Sequence, residues 1–102
     1  MSANALKPET YEVIIRSVDK VLHLRPHDAR AWNVKGKAHF RLDRYEDAIK
    51  CFDKALEIEP NYVGAWGNKG SALFELGRYE DAIKCFDKVI EAGSELKAEV
   101  PA

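Results

Sequence analysis

The string RYEDAIKCFDK occupies residues 44–54 and recurs unchanged at 78–88, 34 positions further on. So long an identity in a chain of 102 residues means that one structural unit has been written twice. Aligned over 29–60 and 63–94, the two copies agree at 19 of 32 positions. A period in the range of about 20–50 residues belongs to arrays whose units bury their apolar faces only by stacking on one another. The product of such stacking is an extended surface, and the activity class that surface serves is binding.

Within the unit the apolar spacing is helical. Ala31, Trp32, Ala38, Phe40 and Leu42 mark one helix, and Tyr45, Ala48, Ile49, Phe52, Ala55 and Leu56 fall on the i, i+3, i+4, i+7 pattern of a second. Asp43 and Gly77 stand between paired helices, where a left-handed residue closes the first of them. Pro60 ends the pair because it cannot continue a helix. Asp28 and Asn61 are placed to cap the helices that follow them. A third, partial copy precedes these, since shifting 45–60 back by one period lands on Tyr11–Pro26 with Tyr11, Glu12, Ile15, Asp19, Lys20, Leu22 and Pro26 identical. The expected fold class is therefore all-α, a stack of antiparallel helix pairs with five helices of about three to four turns. Its expected parts are a tail over 1–10, a leading half repeat over 11–26, full repeats over 29–60 and 63–94, and a tail over 95–102.

Composition narrows the function. Sixteen basic and 17 acidic residues give a net charge of −1, without the surplus of Lys and Arg that nucleic acid demands. No uncharged stretch approaches a membrane span, and the start MSANALKPET has no apolar export segment. Two cysteines in such a chain read as reduced thiols, and the expected location is cytoplasmic.

The pattern Trp32, Gly36, Tyr45, Ala48, Phe52, Ala55, Pro60, repeated as Trp66, Gly70, Tyr79, Ala82, Phe86, resembles the tetratricopeptide repeat. The resemblance spans residues 11–94 and implies a right-handed superhelical solenoid. It departs at Lys35 and Lys69, where Leu is usual, at His39 and Leu73, where Tyr is common, and at Val89 and Ser94, which replace a small residue and the closing Pro. These last two predict a more loosely packed final helix. Independently of the family, Gly36 and Gly70 suit a close helix approach, and Phe52 and Phe86 suit the space between units.

Differences between the copies point to a surface. Between 29–42 and 63–76 seven of fourteen positions differ, and at five of them Arg30, Asn33, Val34, Lys37 and Arg41 are replaced by Gly64, Gly67, Asn68, Ser71 and Glu75. At 100° per residue these positions share an arc of about 100°, one helix face, while the conserved positions fill the remainder. The resemblance places that face in a concave groove that holds peptides or helices. The implied groove comprises Arg30, Asn33, Val34, Lys37, Phe40 and Arg41 with Gly64, Gly67, Asn68, Ser71, Phe74 and Glu75. Arg30, Lys37 and Arg41 suit a carboxylate, so the expected partner is a protein or peptide with an acidic segment. Asn68 suits a peptide backbone, and Gly64 and Gly67 leave room for a ligand side chain. The grip that some family members use on a Glu-Glu-Val-Asp tail draws on a third unit, which is absent here.

Other features carry no chemistry. Cys51 and Cys85 lie one period apart, but the leading copy has Ser17 at that position, against a metal pair or disulfide. His23, His27 and His39 form no ligand pattern, and there is no phosphate loop or nucleophile elbow. Neither a cofactor nor a metal is expected, and an enzyme is not. The alternative to a peptide adaptor is a self-assembling module, a homo-oligomer joined through its uncovered ends. Val13 and Ile14, in place of Asp47 and Ala48, make the leading helix more apolar than its copies, and with Ile15 and Val18 they form the expected self-association face.

Overall fold

The structure, a computed structural model, describes residues 6–99, with side chains through 94. Its elements are five helices: α1 Pro8–Leu24, α2 Ala29–Arg41, α3 Tyr45–Ile58, α4 Val63–Glu75 and α5 Tyr79–Glu99. Each packs on the next, and α2 also touches α4, so α2 and α4 line one side of the stack and α1, α3 and α5 the other. The fold is all-α, as the 34-residue period predicts.

The turns inside each pair are twins. Asp43 (φ 59°) and Gly77 (φ 76°) both take the left-handed conformation. Each turn is closed by the same two bonds. Arg44 N–H donates to the His39 carbonyl at 2.9 Å and Asp43 N–H to Phe40 at 3.0 Å; Arg78 and Gly77 donate to Leu73 and Phe74, both at 2.9 Å. These crossed bonds satisfy carbonyls that a helix end leaves free. Of the two expected caps, Asp28 accepts from Ala31 N–H at 3.0 Å. Asn61 does not cap: the boundary residue of α4 is Tyr62, with no side-chain bond.

Glycine, phenylalanine and tryptophan build the interfaces. A Cβ on Gly36 would stand 2.7 Å from Phe52 Cδ1, and one on Gly70 2.6 Å from Phe86 Cε1, so each ring lies directly on helix backbone. Phe52 is fully buried and joins Ala48 and Ile49 to Ala72, Leu73, Ala82 and Cys85 of the next unit. Trp32 Nε1–H donates to the Pro26 carbonyl at 2.9 Å and Trp66 Nε1–H to Pro60 at 2.8 Å, tying each first helix to the end of the preceding unit. Lys35 and Lys69, the departures from Leu, cross the same boundary. Lys35 pairs with Asp19 at 2.8 Å and Lys69 with Asp53 at 2.7 Å, each ammonium lying over the Trp of its own helix. The aliphatic stem covers apolar surface as Leu would, and the charged end reaches water and a carboxylate.

Several expectations change. α1 has 17 residues and α5 has 21, longer than three to four turns. α5 continues through Gly93 and Ser94 to Glu99, where a tail from 95 was expected; Ser94 lacks the helix-breaking ring of Pro60. Of the expected tails, residues 1–5 and 100–102 lie outside the described residues. Ile15, expected on an exposed face, is buried with Leu22 against α2. Cys51 and Cys85 are free and buried. Desolvation raises both thiols, that of Cys51 to about 11, which keeps them protonated and unreactive.

Candidate peptide-binding groove

The varying stripe lies along the side where α2 meets α4. Lys37, Phe40 and Arg41 of α2, Asn68 and Ser71 of α4, and Phe52 between them line a cleft of about 170 Å³. Phe52 was not expected there; as the buried ring joining the two units it also forms the cleft floor. Lys37 and Arg41 are exposed, one helical turn apart, and neither forms an ion pair among the described residues. The cleft thus combines two free cations with apolar and amide walls.

The remaining stripe residues are placed differently. Arg30 is exposed but lines a separate hollow with His27, Asp28, Glu59 and Tyr62, so the three cations do not share one cleft. Asn33 is only 8 % exposed. Its Oδ1 accepts from Asn68 Nδ2 at 3.0 Å, and its Nδ2 donates to Tyr62 Oη at 3.3 Å. It is a bridge between α2 and α4 rather than a free ligand group, and Tyr62 is a partner that no copy of the pattern indicates. Val34 is half-buried. Ser71 Oγ donates to the Gly67 carbonyl at 3.1 Å.

Beyond the cleft the groove continues onto aromatic surface. Phe40 meets Tyr45 edge-on, and Phe74 meets Tyr79 likewise, both at 5.2 Å between centroids. Phe74, one turn along α4 from Ser71, is 54 % exposed. Tyr45 donates its hydroxyl to the Asp43 carboxylate at 2.9 Å. That bond raises the phenol, with burial, the Asp43 charge and the charge of exposed Glu75 adding to it. Gly64 is exposed, whereas a Cβ on Gly67 would meet Val89 of α5 at 3.7 Å, so the space at Gly67 adjoins the neighbouring helix.

The sequence model of the tetratricopeptide repeat matches residues 29–62 and 63–92, more than half of the chain. The chain belongs to the tetratricopeptide repeat family. Among solved tetratricopeptide structures, TPR2B of yeast Sti1 in its pHsp70 complex superposes with a TM-score of 0.82 at 23% identity, over 88% of this chain and 72% of that one. The first such domain of Spaghetti (RPAP3), bound to the HSP90 peptide SRMEEVD, gives 0.79 at 25% identity over 81% and 66%. MamA from Desulfovibrio magneticus RS-1 gives 0.80 at 23% identity over 84% and 49%. The chain spans about half the length of the MamA structures it matches. No curated protein sequence matches it. Among the described residues no helix is long and apolar enough to cross a membrane.

Proposed function

We propose that this tetratricopeptide domain is a non-enzymatic interaction module that holds an acidic peptide segment in the cleft between α2 and α4. The observation that carries the reading is the pairing of two uncommitted cations, Lys37 and Arg41, with the Phe40 and Phe52 rings in one hollow. A volume of about 170 Å³ is below the roughly 300–1,000 Å³ of small-molecule sites, and suits one side chain or a chain terminus with the peptide lying across it. The arginine fork and the lysine ammonium receive a carboxylate, each charged bond being worth about 1.5–3 kcal/mol. The Asn68 amide N–H is engaged by Asn33, leaving its carbonyl for a peptide N–H. The solved Sti1 and RPAP3 neighbours, one complexed with pHsp70 and one with an HSP90 peptide, support peptide binding as the general mode. Two cysteines left free suit a reducing compartment, and we place the protein in the cytoplasm.

The test is fluorescence anisotropy with a labelled peptide ending in two glutamates and a free carboxylate. Lys37→Glu with Arg41→Glu is expected to weaken binding at least about tenfold; equal affinity for wild type and variant contradicts the reading. Amidating the peptide terminus separates recognition of the chain end from recognition of the side chains.

A second reading, self-association through α1, is favoured by Val13, Val21 and Leu24, which are exposed while Ile14 and Val18 are half-buried. Sedimentation at rising concentration tests it, with Val13→Glu expected to keep the chain monomeric.

A further inference from the structure

A chain of side-chain hydrogen bonds runs from the wall of the cleft to the start of α4. Asn68 Nδ2 donates to Asn33 Oδ1 at 3.0 Å, and Asn33 Nδ2 donates to Tyr62 Oη at 3.3 Å. Asn33 is 8 % exposed, so its amide depends on these two partners. None of the three residues belongs to what repeats: one period away, Asn68, Asn33 and Tyr62 have Val34, Gly67 and Asp28 as counterparts. Each unit forms its helix pair with a different residue at these places, so the pair itself does not require them. Gly64, whose counterpart is Arg30, fits the same arrangement. A Cβ there would stand 3.2 Å from Tyr62 Cε1 and crowd the ring that reaches back to Asn33.

The direction of the bonds decides which end of the Asn68 amide is spent. With its N–H turned to Asn33, Asn68 offers the cleft a carbonyl oxygen. Lys37 and Arg41 stand in the same cleft, and their charge favours that end of the amide dipole. The same cations draw a carboxylate, and a carboxylate beside a carbonyl oxygen sets two acceptors against each other. A donor between them removes the conflict. The backbone N–H of an acidic residue is such a donor, carried by the residue that brings the carboxylate.

We propose that Asn33 and Tyr62 are positioning residues that hold Asn68 with its carbonyl toward the ligand, and that the cleft therefore selects a carboxylate accompanied by a free peptide N–H. Proline or an N-methylated residue at that place is disfavoured, whatever its charge. This rests on the acidic-peptide reading of the cleft and adds to it the part of the ligand that is read besides the charge.

The probe is the labelled peptide ending in two glutamates, titrated onto the full chain beside a set in which each of its last few backbone N–H groups in turn carries a methyl. In the wild type, methylation at one position is expected to weaken binding about fivefold, the worth of one hydrogen bond. That loss is expected to shrink below about twofold in Asn68→Ala, and also in Tyr62→Phe, which keeps the ring and removes only the hydroxyl. Asn33→Asp is expected to retain the full loss, because its carboxylate still accepts from Asn68 and also from the Tyr62 hydroxyl. A purely structural role for Tyr62 would change the affinity of every peptide alike and leave this ratio unmoved. The proposal is overturned by a methyl set without effect, by a loss that persists in Asn68→Ala and so reports a steric clash, or by a ratio unchanged in Tyr62→Phe. Binding that Lys37→Glu with Arg41→Glu abolishes, alongside an indifferent methyl set, overturns the positioning role alone. Absence of wild-type binding overturns it together with the acidic-peptide reading.

Discussion

Phe52 is the residue on which most of the packing turns, since it is fully buried, lies on Gly36 and reaches into the next unit. Phe52→Ala is expected to cost about 3–5 kcal/mol in urea unfolding, the range for truncating a buried aromatic. Gly36→Ala drives a methyl into the same ring, and because that ring is enclosed it has nowhere to move; the expected cost is about 1–3 kcal/mol, from overpacking. His39 offers a pH-dependent test. It occupies the position that Leu73 holds in the second copy, and its Nδ1 is buried without a partner. Burial lowers its pKa below the ordinary 6.5, with Asp47 and Glu12 opposing and Lys35 and Arg44 reinforcing the shift. The folded state therefore binds fewer protons than the unfolded chain. Its contribution is complete above a pH of about 6.5 and is lost as pH falls through the unfolded and then the folded value. His39→Leu is expected to raise stability by about 1 kcal/mol at neutral pH, by removing the orphaned nitrogen. It is also expected to flatten the decline that wild-type urea titrations show as pH falls below about 6.5; an equal decline in both proteins counts against this account.

At the scale of elements, what repeats with the period was legible and what depends on a single copy was not. The turns at Asp43 and Gly77 and the glycine–phenylalanine contacts follow from residue types at matched positions. The tryptophan bonds to Pro26 and Pro60 also repeat at constant spacing, but a carbonyl acceptor leaves no mark in the sequence. Caps divide along the same line. Asp28 caps α2 and Asn61 leaves α4 uncapped, because the position equivalent to Asp28 in the second copy is Tyr62, and Asn61 stands one residue before it. Asp28→Ala should therefore cost about 1 kcal/mol, and Asn61→Ala should stay within about 0.5 kcal/mol, in thermal unfolding. Gly93 and Ser94 close the second repeat in the sequence, yet with Ser94 where the first repeat has Pro60 the helix runs to Glu99. One glycine lowers helix propensity by only about 1 kcal/mol, too little to stop a helix alone.

Across the whole molecule, a stripe found by comparing two copies becomes one side of a stack. Angular position around a helix was readable from the sequence; position along it decided which residues meet. Arg30 shares the arc of Lys37 and Arg41 but lies about 10 Å and about 16 Å from them along the axis, at 1.5 Å per residue, and so falls in another hollow. Asn33 shares the arc too, but α4 approaches α2 there and buries it under Asn68 and Tyr62. The burial of Asn33 does not follow from periodicity, because it depends on the crossing of two helices. What remains is a compact site, Lys37, Phe40, Arg41, Asn68 and Ser71 over Phe52, with exposed Phe74 beyond it. Binding there is expected to weaken as salt rises, since both cations are solvent-accessible. The most direct measurement is a two-dimensional amide NMR titration with the peptide ending in two glutamates. The account predicts shifts concentrated at Lys37, Phe40, Arg41, Asn68 and Ser71 and absent from α1; shifts scattered over α1, α3 and α5, with those five amides unmoved, would contradict it.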